Sequence, residues 1–213
     1  MELSVLSDEP LRALVLLAAA IAAGDPVEIG EHAGVAMAAG TPGAAIDELL
    51  LQSVLTVGWP RALVAAGACR PVVGGPAAGA GDDLDYDAHH EWTRRGEATC
   101  AIIYGDHYEK LRGNVRQLHP ALEAWMVTEG YGRTLSRPGL DLKARELCTV
   151  IQTAVLRTPR QLHSHLLGAL RAGASPDEIG ATLDCVRVRL SEAEWNVVSS
   201  LWQRVRDAAA AGA

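Results

Sequence analysis

The chain contains no phenylalanine, no pair of cysteines spaced C-x-x-C, no excess of basic residues and almost no stretch patterned as a β-strand. Each absence removes a class. The four cysteines, Cys69, Cys100, Cys148 and Cys185, stand far apart. That spacing encodes neither a zinc knuckle nor a dithiol redox centre, and buried free thiols are the expectation. With 19 Lys and Arg against 26 Asp and Glu the formal net charge is -7, so no basic face exists to replace phosphate counterions. Nucleic acid and anionic membrane are therefore excluded as partners, and a small anion is left to local arginines. The apolar run from Ala13 to Ala23 is too short to span a bilayer. Glu2, Asp8 and Glu9 precede it against a single Arg12, the reverse of a basic leader segment, so it reads as a core helix of a cytoplasmic protein. His89 and His90 beside Glu91 project to different faces of a helix and have no third ligand at a useful spacing, so no metal is assigned. The five tryptophans read as core or interface anchors.

What is present is a repeat. Sliding the sequence against itself by 133 positions, without a gap, aligns residues 10–50 with 143–183. Arg12 meets Arg145, Pro26 meets Pro159, His32 meets His165 and Gly40 meets Gly173. The punctuation has physical content. Thr158-Pro159 with Gln161, and Asp25-Pro26 with Glu28, both read as a capped helix start with a residue reaching back from the third position. Gly40 and Gly173 then close the helices from the position that favours left-handed backbone. Ser175-Pro176-Asp177-Glu178 reads as a further capping box. The spacing predicts helices over 10–23, 26–39, 43–57, 142–156, 159–172 and 176–189. Residues 64–83 are rich in Ala and Gly with Pro71 and Pro76, as expected of an irregular connector. Residues 87–104 and 106–130 carry helical periodicity again. The organisation read from this is an N-terminal repeat over 1–63, a connector over 64–85, and a helical lead-in plus second repeat over 86–213, all-α throughout.

The ordered string Gly130-Tyr131-Gly132, Arg137-Pro138-Gly139-Leu140-Asp141, Arg145-Glu146-Leu147, Gln161-Leu162-His163-Ser164-His165, Gly168-Ala169-Leu170 and Gly173-Ala174 resembles the carboxymuconolactone decarboxylase family of the alkylhydroperoxidase-D-like superfamily. The resemblance is strong from about His119 to Leu183. It is weaker in the first copy, through Glu28 to His32, Gly40 and Gly58-Trp59-Pro60. It implies helical hairpins assembled into rings, and for a tandem chain a homo-oligomer, a trimer above all. Peroxidase members carry a C-x-x-C before a histidine, and here the matching positions are Thr158 and Gln161, which removes the thiol peroxidase reaction. The decarboxylase branch acts without a cofactor on a small carboxylated lactone. Where the family repeats Gly-x-Pro after the third helix, this chain has Ser191-Glu192-Ala193, so the pocket wall there differs.

Decarboxylation needs cations for the retained carboxylate, a low-dielectric place for the departing one and an acid near the carbon that gains a proton. His165 suits the acid and Glu146 its orienting partner. By helix rise alone Glu146 lies about 18 Å below the connecting turn and His165 about 10 Å below it, so a shared pocket follows but a direct hydrogen bond does not. Arg145 and Arg137 are the candidate carboxylate clamps, with Gln161 and Tyr131 as further substrate contacts. The plainer readings are a capping Gln161, an Arg145 paired with an acid, a solvent-facing His163 and a His165 that is merely a satisfied interior residue. In the first copy Arg12, Glu28 and His32 occupy the corresponding places, but Ala13 stands where the second copy has Glu146. One principal site is the expectation. A tailoring isomerase or hydrolase, or a non-catalytic binding module on the same fold, are the alternatives.

Overall fold

The computed structural model describes residues 6–75 and 84–211. Three helices build the first copy: α1 (Glu9–Ala23), α2 (Pro26–Ala38) and α3 (Gly43–Val73). A lead-in follows, with α4 (His89–Tyr104), α5 (Tyr108–Leu118) and α6 (Pro120–Trp125), and α6 runs on into a π-helical stretch, Met126–Leu135. The second copy is α7 (Leu142–Val155), α8 (Pro159–Arg171) and α9 (Pro176–Asp184), and α10 (Glu192–Ala211) closes the chain. No strand occurs among the described residues.

The two copies fuse into one core. The first helices of the copies, α1 and α7, lie against each other, and α2 and α8 cover them from their own sides. Leu14, Leu17, Ile21, Ile29 and Ile46 of the first copy join Leu147, Ile151, Leu162, Leu166 and Ile179 of the second in one buried cluster. Burying such side chains contributes about 1.5–3 kcal/mol each. Neither copy has that apolar surface covered without the other.

The start signals act unevenly. Asp25 accepts from the backbone N–H of Val27 and Glu28, and Ser175 with Glu178 forms a complete capping box. Thr158 does not cap: its hydroxyl donates back to the Thr153 carbonyl at 3.2 Å, and no side chain caps α8. Glu28 does not reach back either, because its carboxylate is held by Arg189. Gly40 and Gly173 do adopt left-handed backbone, at φ 87° and 94°. The repeat has one more matched pair in that region. Gly24 at φ 91° corresponds to Arg157 at φ 57°, so the second copy accepts a non-glycine residue where the chain leaves α7, a conformation costing an L-residue about 1–2 kcal/mol.

Boundaries also move. The third helix of the first copy breaks where expected, after 57: Gly58 has non-helical backbone (φ 73°, ψ 168°), and a further helical segment follows it to Val73. Ala65 and Cys69, expected in an irregular connector, are buried in the core instead. The remainder of that expected connector, residues 76–83, lies outside the described residues. The predicted helix over 106–130 is divided at His119–Pro120, where proline ends one helix and opens the next. The predicted helix over 176–189 stops at Asp184. His89 and His90 do not diverge: their rings stack with centroids 3.8 Å apart.

The lead-in is pinned by backbone contact. A Cβ at Gly132 would lie 1.9 Å from the Trp92 carbonyl oxygen, and one at Gly96 would lie 2.0 Å from that of Val127. Only paired glycines let α4 and the π-helical stretch approach this closely. That approach holds the Tyr131 backbone over the second copy, with Cys100, Ile103, Tyr131 and Leu135 forming a small core of their own.

Candidate functional site

A cavity of about 430 Å³ opens where the two copies and the lead-in meet. α3 supplies Gln52, Leu55 and Thr56, and α6 with the π-helical stretch supplies Leu122, Trp125, Met126, Glu129 and Tyr131. α7 and the turn after it supply Thr149, Thr153, Leu156 and Thr158, and α8 supplies Gln161 and His165. π-Helical turns add a residue to a helix and recur at functional sites. Here the extra winding carries Met126, Glu129, Gly130, Tyr131 and Leu135 to the cavity wall.

His165 and Glu146 are in direct contact, with Nδ1 2.9 Å from Oε2. Helix rise alone misplaced them because it ignores the tilt between α7 and α8 and the length of the side chains. Glu146 is completely buried, whereas the His165 side chain keeps 14% of its surface exposed and lines the cavity. Gly168 makes room for this pair: a Cβ there would sit 2.4 Å from the Glu146 carboxylate and 2.8 Å from Ile103. With Glu146 ionised, Nδ1 carries a proton toward it and Nε2 is left as the basic nitrogen. The second carboxylate oxygen, Oε1, is buried and has no hydrogen-bond partner among the described residues.

Tyr131 lies beside the pair and donates to the Tyr104 hydroxyl at 3.0 Å. Burial, reinforced by the Tyr104 hydroxyl and the nearby Glu146 charge, raises the Tyr131 phenol well above its ordinary value. Burial likewise pushes Tyr104 up to about 12. Both are hydrogen-bond donors at neutral pH, not phenolates. Burial also pushes the Cys100 and Cys148 thiols up to about 12 and the Cys69 thiol up to about 11, so none is a ready nucleophile.

The two arginines do not stand free to hold a substrate. Arg145 is completely buried, and its guanidinium donates to Glu48 at 2.8 Å, Gln52 at 3.2 Å and the carbonyls of Leu140 and Arg137 at 3.0 Å. Arg137 donates through Nε to both oxygens of the same Glu48 at 3.0 Å. Burial lowers the Arg145 guanidinium from its ordinary value, and its hydrogen bond to Glu48 opposes that. Neither arginine lines the cavity. The plainer reading of Arg145, a cation paired with an acid, is the one the geometry shows, and the acid comes from the other copy.

Gln161 is exposed on the cavity wall rather than capping, and His163 is exposed to solvent. In the first copy Arg12 is exposed, and the position matching Glu48 is Ala181, so the buried pairing is not repeated. His32 lies 3.6 Å from Glu28, and its Nδ1 is buried without a hydrogen-bond partner. Ala13 is the residue matching Glu146, so the first copy has no carboxylate at that position.

Sequence reasoning missed Glu48, Gln52, Thr56, Thr149, Thr153 and Tyr104. A signal existed for most of them. Glu48, Gln52 and Thr56 recur every four residues in an apolar helix, as do Arg145, Thr149 and Thr153, and the two polar stripes face each other across α3 and α7. Gln52 donates to the Arg145 carbonyl at 3.2 Å, and Thr56 donates to Gln152 at 2.7 Å. Tyr104 carried no signal, since it lies outside the repeat.

Over residues 7–70 and 120–212 the chain matches the sequence profile of the Carboxymuconolactone decarboxylase family. Both copies fall inside the matched segments, and α4 and α5 fall outside them. No curated protein matches the chain.

Proposed function

Because this chain belongs to the carboxymuconolactone decarboxylase family, we propose that it is a cofactor-independent lyase that moves a proton at a carbon beside the carbonyl of a small lactone or enol acid, with loss of a carboxylate. The observation that carries this reading is the 2.9 Å contact between His165 Nδ1 and Glu146 Oε2 in the cavity wall. A buried carboxylate that orients an imidazole leaves Nε2 facing the cavity as a group that can take up and deliver a proton. In the decarboxylation the C–CO2 bond breaks and carbon dioxide leaves. Its electron pair passes into the lactone carbonyl as an enolate. Protonated Nε2 of His165 then delivers a proton to the carbon that gains one, and water restores it. Leu55, Leu122, Trp125 and Met126 give the departing carboxylate a poorly hydrated setting, which disfavours the localised charge more than the dispersed charge of the transition state.

A second reading is favoured by one observation: among the described residues no lysine or arginine lines the cavity. A double-bond isomerase that withdraws and returns a proton on an uncharged lactone needs no carboxylate clamp. Incubating the protein with a lactone that bears a single carboxylate, at the carbon that loses it, while following ultraviolet absorbance and carbon dioxide release separates the two: an absorbance change with carbon dioxide supports the lyase, and one without it the isomerase. His165→Ala and Glu146→Gln should each lower kcat by about 10²–10⁴-fold with unchanged circular dichroism. Wild-type rates in both variants would remove His165 and Glu146 from the reaction.

The same reading includes self-association as a trimer. Trp59, Leu63 and Trp125 are each more than 60% exposed, which supports a covering partner. Sedimentation equilibrium should give a multiple of the 22.5 kDa chain mass, and a monomer at micromolar concentration would remove this part.

A further inference from the structure

The charges around the cavity define what it admits. Among the described residues, Glu129 is the only acidic residue in its wall and His165 the only one with a basic side chain. Glu129 is held by Arg133 at 3.0 Å, and Arg133 is not part of the wall. The residues outside the described part of the chain include neither lysine nor arginine, so they hold no missing cation for this site. Arg137 and Arg145, the nearest candidates by sequence, share Glu48 behind the wall.

An anion entering such a cavity gives up its hydration against Leu55, Leu122, Trp125, Met126 and Leu156 and meets no fixed counter-charge. The polar groups that remain, on Thr149, Thr153, Gln161 and Tyr131, are neutral and suit carbonyl, ether or hydroxyl oxygens. The volume of about 430 Å³ lies within the range of small-molecule sites, about 300–1,000 Å³.

We propose that the site selects a ligand whose retained body is uncharged: a neutral lactone or enol ketone, bearing at most the one carboxylate that departs, and not a dicarboxylate. The proposal rests on the proton-transfer reading for the location of the site, but the charge preference does not depend on turnover.

The test is calorimetric titration of the full-length protein with coumarin, a neutral lactone, and with coumarin-6-carboxylate, which carries a fixed anion on the same skeleton. Coumarin should bind at least tenfold tighter at pH 7.5, with little dependence on salt. Leu55→Arg and Leu122→Lys, at wall positions 47% and 48% exposed, should each narrow or reverse that ratio by tightening the carboxylate. Using both keeps the test open if one variant folds poorly. Equal or tighter binding of the carboxylate by the wild type overturns the proposal. So does failure of both probes to bind at millimolar concentration, or an unchanged ratio in both cationic variants. His165→Ala separates the two readings: it should lose turnover and keep the charge preference. If it retains turnover while the preference stands, only the proton-transfer reading falls.

Discussion

Glu48 shows how much one side chain decides. It is 6% exposed and accepts from both Arg137 and Arg145, so one carboxylate from the opposite copy holds the buried Arg145 and the part-buried Arg137. Breaking a buried pair from one side leaves an uncompensated charge, which costs about 3–5 kcal/mol. Glu48→Ala should lower the urea midpoint accordingly, and a variant that unfolds like the wild type would contradict this account. Gly168 is the second decisive residue. Gly168→Ala places a methyl 2.4 Å from Glu146 Oε2, and overpacking of this kind costs about 1–3 kcal/mol. Because the displaced group orients His165, kcat should fall in that variant by more than the change in melting temperature accounts for. Equal kcat in Gly168→Ala would separate Glu146 from the proton-transfer role.

At the scale of elements, some helix starts carry a side-chain cap and others, α8 among them, do not. Asp25 and Ser175 accept from backbone donors at the heads of α2 and α9, so Asp25→Ala and Ser175→Ala should each cost about 1 kcal/mol. Gln161 makes no capping contact at the head of α8. Gln161→Ala should therefore leave stability within about 0.5 kcal/mol while altering KM, since the side chain stands in the cavity wall. Chemical denaturation and steady-state kinetics on the three variants check both halves. The sequence showed where these helices begin, because proline and glycine punctuate the chain locally. It did not show that a second helical segment occupies the positions after Gly58: residues from 64 on read as an irregular connector, and burial of Ala65 and Cys69 against the core is what holds that segment in place.

For the whole molecule, acid should be the weak side of stability. Hydrogen bonding to Arg189 lowers the Glu28 carboxyl from its ordinary value, joining α2 of the first copy to the segment just before α10. Hydrogen bonds from Lys143 and the Ser175 backbone lower Glu178, joining α7 to α9. A carboxylate whose folded pKa is depressed takes up protons more readily when the chain unfolds. Its contribution is present above the unfolded value, about 4.3, and is lost as pH falls through the lower folded value. Melting temperature should therefore be flat from pH 7 to about 5 and fall below that. Glu178→Gln should make the fall shallower. A melting temperature that rises on acidification would contradict the assignment of both pairs.

The sequence by itself determined the helical class, the tandem repeat and the family to which both copies belong. It also determined that the second copy has Glu146 where the first has Ala13. Each of those is written in residues close together along the chain or in matched positions of the repeat. Tertiary structure alone decided that Arg137 and Arg145 are committed to Glu48, that Tyr104 stands behind Tyr131, and that the cavity has no fixed cation. Those facts depend on side chains separated by up to 97 positions, which only the packing of α3 and α4 onto the second copy brings together.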